Sequence, residues 1–328
     1  MKFVALFGVA FLPCQIRLGG NMRQRRPFRL LATAAVARYP EPYLFVGKPR
    51  PLRATFFMAR DNIRYFIFDL ESVADGRLVA NIRYPGSDYA PAEAVARYRE
   101  ELMEERGSDF IPYTFHLPIS LVVGKVTADF RLVDLTALDE PEFRPHIITE
   151  HFWRGWEGYR HPTLVTFNGR GFDVPVLELA AFRYGLNLRT WMGGEGKGSQ
   201  SPRQRYNASS HLDLMELLTN FGATRFNGGL NLACNLLGKP GKTDVEGYMV
   251  QDMFDDGRLA EINDYCRRDV LDTYFVFLRS RVLTGQLALD EEQRIVSETK
   301  QWLEARAGDV PAFQAYLEAW QDWENPWE

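Results

Sequence analysis

Hydrophobic and polar positions along the chain predict strands first and helices after. Tyr65-Phe66-Ile67-Phe68 is an unbroken apolar run that reads as a buried strand and continues into Asp69-Leu70-Glu71-Ser72. Residues 89–106 carry Ala94, Tyr98, Leu102 and Met103 at helical spacing among charges, the pattern of an amphipathic helix. Residues 117–126 and 129–135 are rich in β-branched and apolar side chains and predict two antiparallel strands joined at Thr127-Ala128. The acid and proline content of Asp139-Glu140-Pro141-Glu142 predicts a helix start, and the pattern runs through Phe152, Trp153 and Trp156 to a stop near Gly158. Residues 163–167 predict a short buried strand. It leads through the turn Asn168-Gly169-Arg170-Gly171 to Phe172-Asp173-Val174-Pro175 and a helix ending near Gly185. Residues 193–205, low in apolar side chains, predict a mobile loop. Beyond it the pattern is helical at 212–221, 230–237, 245–254, 259–283 and 291–307, and Trp320, Trp323 and Trp327 are expected to pack against the body.

Composition narrows the class. A hydrophobic fraction of 46% over 328 residues suits a soluble globular chain of one or two domains with a sizeable core. No apolar run reaches the roughly 18 residues that span a bilayer. Cys14, Cys234 and Cys266 are scattered without a Cys-x-x-Cys, and the five histidines have no ligand spacing. This argues against a disulfide frame or structural zinc and points to a reducing, cytoplasmic setting.

The net charge of −4 hides an asymmetry: residues 1–60 hold eleven Lys or Arg against one acid, Glu41, leaving 28 bases and 42 acids in the remainder. Residues 1–57 are Arg-rich, broken by prolines and without period, and lack a small-x-small cleavage site after the apolar stretch 3–12. They read as an upstream-start artefact, with the working protein beginning near Met58, or as a basic disordered tail. Residues 58–328 form the expected domain, closed by a helical C-terminal extension.

The candidate chemistry begins at the strand 65–72. Side chains alternate along a strand, so Asp69 and Glu71 share one face, with Cα atoms roughly 6.8 Å apart, and Leu70 takes the other. Two like charges at a buried strand end call for a cation, and the alternative is a solvated turn. Asp173 follows a strand by one tight turn and begins a helix, as a further ligand or as an ordinary N-cap. Tyr265 and Asp269, four apart on a helix, are neighbours on a face adjoining the stripe Val270, Tyr274 and Phe277, where Asp269 needs either a metal or an arginine. Asp213 reads as a helix cap.

Phe68-Asp69-Leu70-Glu71-Ser72, then Phe167-Asn168-Gly169 with Phe172-Asp173-Val174-Pro175, then Tyr265-x-x-x-Asp269 resemble the three motifs of the DEDD-type 3'-5' exonucleases. The nearest likeness is to the proofreading exonuclease domain of family B DNA polymerases and to stand-alone predicted exonucleases related to it, over roughly residues 65–281. The resemblance implies a ribonuclease H-like α/β fold, a mixed five-stranded sheet flanked by helices with a helical C-terminal half. It implies that Asp69, Glu71, Asp173 and Asp269 bind two Mg²⁺ or Mn²⁺ ions and that Tyr265 positions the attacking water. The histidine subtype carries its His five residues before the last Asp; Asp264 stands there, so the tyrosine subtype is implied. Ser72 departs from the usual Thr but keeps the hydroxyl.

The activity expected is metal-dependent hydrolysis of phosphodiesters at the 3' end of DNA, releasing 5'-mononucleotides. Asn168 and Phe172 are candidate contacts to the terminal nucleotide, with a core position as the alternative for Phe172, and Leu70 joins them only if the strand end twists; Lys197, Arg203, Arg205, Arg267 and Arg268 are candidate phosphate ligands or solvated surface charge. An acidic body argues for a single-stranded or frayed end over a long duplex. No polymerase segment follows the last motif, so a free-standing trimming or repair nuclease is expected, with protein partners undetermined. An RNA-trimming enzyme with the same site, or a catalytically idle binding module, are the alternatives.

Overall fold

A computed structural model describes residues 62–193, 201–241 and 247–328. The basic stretch 1–57 and most of the loop expected at 193–205, including Lys197, lie outside the described residues.

The strand predicted around the acids is β1 (Ile63–Ala74), the middle of the sheet. After it come α1 (Gly76–Arg83), α2 (Pro91–Arg106), β2 (His116–Thr127), β3 (Leu132–Ala137), α3 (Pro145–Gly158), β4 (Thr163–Thr166), α4 (Asp173–Tyr184) and β5 (His211–Asp213). The second half is helical, as expected: α5 (Leu214–Leu218), α6 (Gly229–Asn235), α7 (Val250–Asp255), α8 (Leu259–Leu283), α9 (Leu289–Glu304) and α10 (Pro311–Glu318). The strand order is β3-β2-β1-β4-β5, antiparallel between β1, β2 and β3 and parallel from β1 through β4 to β5. This is the mixed five-stranded sheet of a ribonuclease H-like α/β fold.

Both faces of the sheet are covered, and the alternation along β1 decides what each receives. Ile67, with Val122 and Val165 beside it, packs against Val270, Leu271, Tyr274 and Phe277 of α8. Phe66, Phe68 and Leu70 point the opposite way, into a layer with Phe152, Trp153 and Trp156 of α3 and Val174 and Leu177 of α4. Burying one such side chain fully is worth about 1.5–3 kcal/mol, so a one-residue slip that swapped apolar and acidic positions is strongly disfavoured. Close approach of α8 needs a glycine at position 124 on β2. A Cβ there would lie 3.2 Å from Leu132 Cδ1 and 3.3 Å from Val270 Cγ1.

Several boundaries differ from expectation. The helix predicted to start at 139 begins at Pro145, because Asp139 takes a left-handed conformation (φ 57°) and its carboxylate accepts from the Arg144 amide and guanidinium in a closed turn. The helix predicted over 212–221 is divided: His211–Asp213 pairs with β4 as an edge strand, and only Leu214–Leu218 is helical. α1 had no counterpart in the expectation; Asp75 caps it through the Arg77 and Leu78 amides. Trp320 and Trp323 pack as expected, Trp320 on Phe275 and Trp323 beneath Arg279, whereas Trp327 stays 83% exposed. Among the described residues no helix is long and apolar enough to cross a membrane.

Candidate active site

Flanked on both edges, β1 can send its side chains only into one layer or the other. Leu70 goes to the α3 and α4 side and is buried there, away from the acids. Asp69 and Glu71 go to the α8 side, where Glu71 is buried and Asp69 half-buried. Cys266 of α8 meets them: one ligand-type atom from each of Asp69, Glu71 and Cys266 lies within 4.8 Å of the others. The Cys266 thiol donates to the Asp69 carbonyl oxygen at 3.3 Å. Just past the acids the β1–β2 register shifts between Glu71 and Ser72, a bulge that re-aims the strand end.

Tyr265 and Asp269 come from the same stretch of α8, one turn apart, and both are buried. Burial holds the Tyr265 phenol far above its ordinary range, and the charges of Asp269, Glu71 and Asp69 raise it further, as does its hydrogen bond to Asp269. The phenol therefore stays protonated beside three carboxylates. Burial likewise pushes the Cys266 thiol up, with Asp69 and Glu71 adding to it. It remains a thiol and not a thiolate.

Asp173 arrives from the opposite layer, over the turn that follows β4. That turn is held from below by Asp213, the last residue of β5. One Asp213 oxygen accepts from the Asn168 amide at 3.0 Å and the other from the Arg170 amide at 2.9 Å, while the first also caps α5 through Met215 and Glu216. Asn168 adopts a left-handed φ of 67°. Gly169 is required next to it, since a Cβ would come within 2.6 Å of the Thr166 side chain. Burial raises the Asp173 carboxyl to about 7, and the charges of Asp213 and Asp269 add to the rise. The amides of Asp173 itself and of Leu70 oppose it. Leu70 thus bears on the site through its backbone, and its side chain is core.

Asp69, Glu71, Asp269 and Tyr265 therefore form one cluster, and Asp173 adjoins it through Asp269 and the Leu70 amide. The other expected contacts sit around it. Asn168 is exposed on the turn. Phe172 is half-buried, with its ring 5.7 Å from Phe110 and 5.4 Å from His116. The Ile111 carbonyl can only accept, so His116 Nε2 donates to it at 3.0 Å; burial keeps the imidazole below its ordinary range and neutral, and Nδ1 then accepts from the Ser72 hydroxyl at 2.8 Å. Three of the arginines read as phosphate ligands or surface charge are in ion pairs: Arg203 with Glu178, Arg205 with Glu216, and Arg267 with Glu140 and Asp264.

Cys266, a scattered thiol in the sequence pattern, lies against the two acids of β1, and Asp213, a helix cap in that pattern, also holds the Asn168 turn. The neighbouring Tyr265 and the i,i+3 spacing to Asp269 were the available signal for Cys266. Phe110 and His116 had none, because their relation to Phe172 is purely tertiary.

The grouped donors Asp69, Glu71 and Cys266 fit a hard divalent cation: the carboxylates offer oxygen and the sulfur keeps its proton. A cation held beside them would lower the nearby Asp173 carboxyl toward the ionised form. A family model described as a predicted 3'-5' exonuclease related to the exonuclease domain of PolB matches residues 108–320. The matched segment contains Asp173, Tyr265 and Asp269, while Asp69 and Glu71 precede it. No curated protein matches the chain.

Proposed function

The chain belongs to the predicted 3'-5' exonucleases related to the exonuclease domain of PolB, and on that basis we propose that it removes nucleotides from the 3' end of DNA by two-metal hydrolysis of the tyrosine subtype. The observation that supports this reading is that ligand atoms of Asp69 and Glu71 from β1 lie within 4.8 Å of Cys266 on α8, beside Tyr265, whose phenol bonds Asp269 and is raised by burial and by all three charges, while the Asp269 charge also bears on Asp173 at the start of α4.

Asp69, Glu71, Asp173 and Asp269 would hold the two ions, Mg²⁺ or Mn²⁺. When bound, these supply the Lewis acidity that makes water a nucleophile near neutral pH and stabilises the departing 3'-oxygen. Tyr265 does not act as a base, because its proton is held far above any working pH. Its hydroxyl donates to Asp269 and keeps lone pairs with which it can orient the attacking water. Water attacks phosphorus, the bond from phosphorus to the 3'-oxygen of the preceding nucleotide breaks, that oxygen gains a proton, and a 5'-mononucleotide leaves. Among the described residues Arg203 and Arg205, and Arg267 on α8, are held in ion pairs, which supports a single-stranded or frayed end over a long duplex.

The test is product analysis on a 5'-labelled DNA with a 3' overhang and on its RNA twin, with Mg²⁺, Mn²⁺ or EDTA. Stepwise shortening from the 3' end of DNA with 5'-mononucleotide release is expected. It should vanish in EDTA and fall about 10²–10³-fold in Asp69→Asn, the scale of losing one preorganised charge-stabilising group. Folded protein that shortens neither strand refutes the proposal, and shortening of RNA alone refutes its DNA part.

A further inference from the structure

At the β5 edge of the sheet two aromatic side chains stand open to solvent and against each other. Tyr206, in the loop before β5, is 63% exposed, and its ring meets that of the partly exposed Phe221, after α5, edge to face at 5.1 Å. Phe221 takes a left-handed φ of 56°, rare for a bulky residue, and its amide donates to the Glu216 carbonyl oxygen at 2.7 Å, which fixes the backbone under the ring. The Arg205 guanidinium lies 5.9 Å from the Tyr206 ring and also lines a cleft of about 350 Å³ with Arg170 and Arg203. Beneath them the nearly buried Glu178 accepts from Arg203 Nε and Nη2 at 2.7 and 2.8 Å, while Glu216 accepts from Arg170 Nε at 2.7 Å and pairs with Arg205 Nη2 at 3.1 Å. Arg203 and Arg205 are themselves more than half exposed. The carboxylates thus hold the guanidinium groups from below and leave their outer sides to solvent. Among the described residues the cleft sets three guanidinium groups against two carboxylates, with His211 kept neutral by burial.

This surface is tied to the candidate active site through α4. Glu178, which holds Arg203, stands five residues after Asp173, about 7.5 Å along the helix axis. Tyr113, partly exposed on the turn before β2, lies within electrostatic reach of Arg203. Tyr113, Arg203, Arg205, Tyr206 and Phe221 therefore lead outward from that helix as a stripe of rings interleaved with guanidinium groups. A single strand likewise interleaves phosphates with bases whose faces are uncovered, so each member of the stripe has a counterpart. A duplex keeps its base faces stacked inside and offers only the phosphates. We propose that the stripe is an exosite for single-stranded DNA, holding the body of the strand upstream of the 3' end while the acid cluster takes the end itself. The inference rests on the exonuclease reading and gives its substrate a second hold, away from the metal ligands. Affinity then grows with the length of single strand and is indifferent to base identity, because stacking uses the face of a base and not its edge.

The test is a fluorescence-anisotropy titration of 5'-labelled oligothymidylates of about four and about twelve nucleotides, with Ca²⁺ in place of Mg²⁺ and at several salt concentrations. Wild type should bind the longer strand about 10-fold more tightly than the shorter. Tyr206→Ala should remove most of that advantage and leave the shorter strand unaffected, and Tyr206→Trp should restore it. Arg205→Gln, which leaves Glu216 its bond to Arg170, should flatten the slope of log affinity against log salt by about 0.7, on the longer strand only. In Mg²⁺ the alanine variant should raise KM about 10-fold on the longer strand with kcat unchanged. If wild type shortens DNA but Tyr206→Ala binds both strands as wild type does, or weakens both alike, the exosite is overturned alone and the face is left to a protein partner. If wild type neither binds nor shortens either strand, the exonuclease reading falls with it.

Discussion

Asp173→Asn is expected to make the metal-free protein more stable while disabling it. The carboxyl has an ordinary value of 3.8 and is raised by burial to about 7. Between those values the folded state keeps a proton that the unfolded chain has lost, so stability declines as pH rises from about 4 to about 7 and is flat above. Holding the ionised form in the fold then costs about 4 kcal/mol, at about 1.4 kcal/mol for each tenfold change. Asparagine has no proton to lose but gives up one accepting oxygen facing the amides of Leu70 and Asp173, a loss of about 1 kcal/mol. The net gain is about 3 kcal/mol at about pH 8, vanishing or reversing near pH 4. Urea unfolding in EDTA at both pH values measures it, and added Mg²⁺ should stabilise wild type by mass action and the variant far less. A gap independent of pH, or a variant less stable than wild type at high pH, would refute the reasoning.

Two further outcomes follow from the same geometry. Tyr265→Phe should fold normally and bind Mg²⁺ with unchanged affinity while kcat falls about 10–100-fold, as for loss of a water-orienting hydroxyl; calorimetry with single-turnover kinetics separates the two effects, and a basic limb near pH 10 that disappears in the variant would contradict a phenol that never ionises. Asp213→Ala strands the Asn168 and Arg170 amides and uncaps α5, so a loss of about 2–4 kcal/mol in chemical denaturation is expected together with loss of activity, and Asp213→Asn should recover only part.

What was legible in the sequence is what local pattern can encode. The run 65–68 could only be a buried strand, and strict alternation then set Asp69 and Glu71 on one face and Leu70 on the other, as found. Tyr265 and Asp269 were readable as helical neighbours for the same reason. β5 was not: His211-Leu212-Asp213 runs straight into Leu214 without a breaker, and only the pairing of Leu164 with His211 and Val165 with Leu212 makes it a strand. The late start of α3 reflects a competing local bond, in which Asp139 satisfies the Arg144 amide in a turn. Around the site, Cys266 beside Asp69, Asp213 beneath the Asn168 turn and Phe110 against Phe172 are contacts between residues far apart in the chain. No window of sequence contains both partners, so neither propensity nor spacing could announce them.

Gly124 has a bearing on the chemistry that its place in the core does not suggest. It pairs across the sheet with Ile67, two residues before Asp69, and on its other side it nearly touches Val270, the residue after Asp269. The missing side chain works as a gauge block, fixing the gap across which the acids of the strand and the acid and phenol of the helix face one another. Bulk added at 124 would therefore press the strand and the helix apart, at a position that itself contributes no ligand.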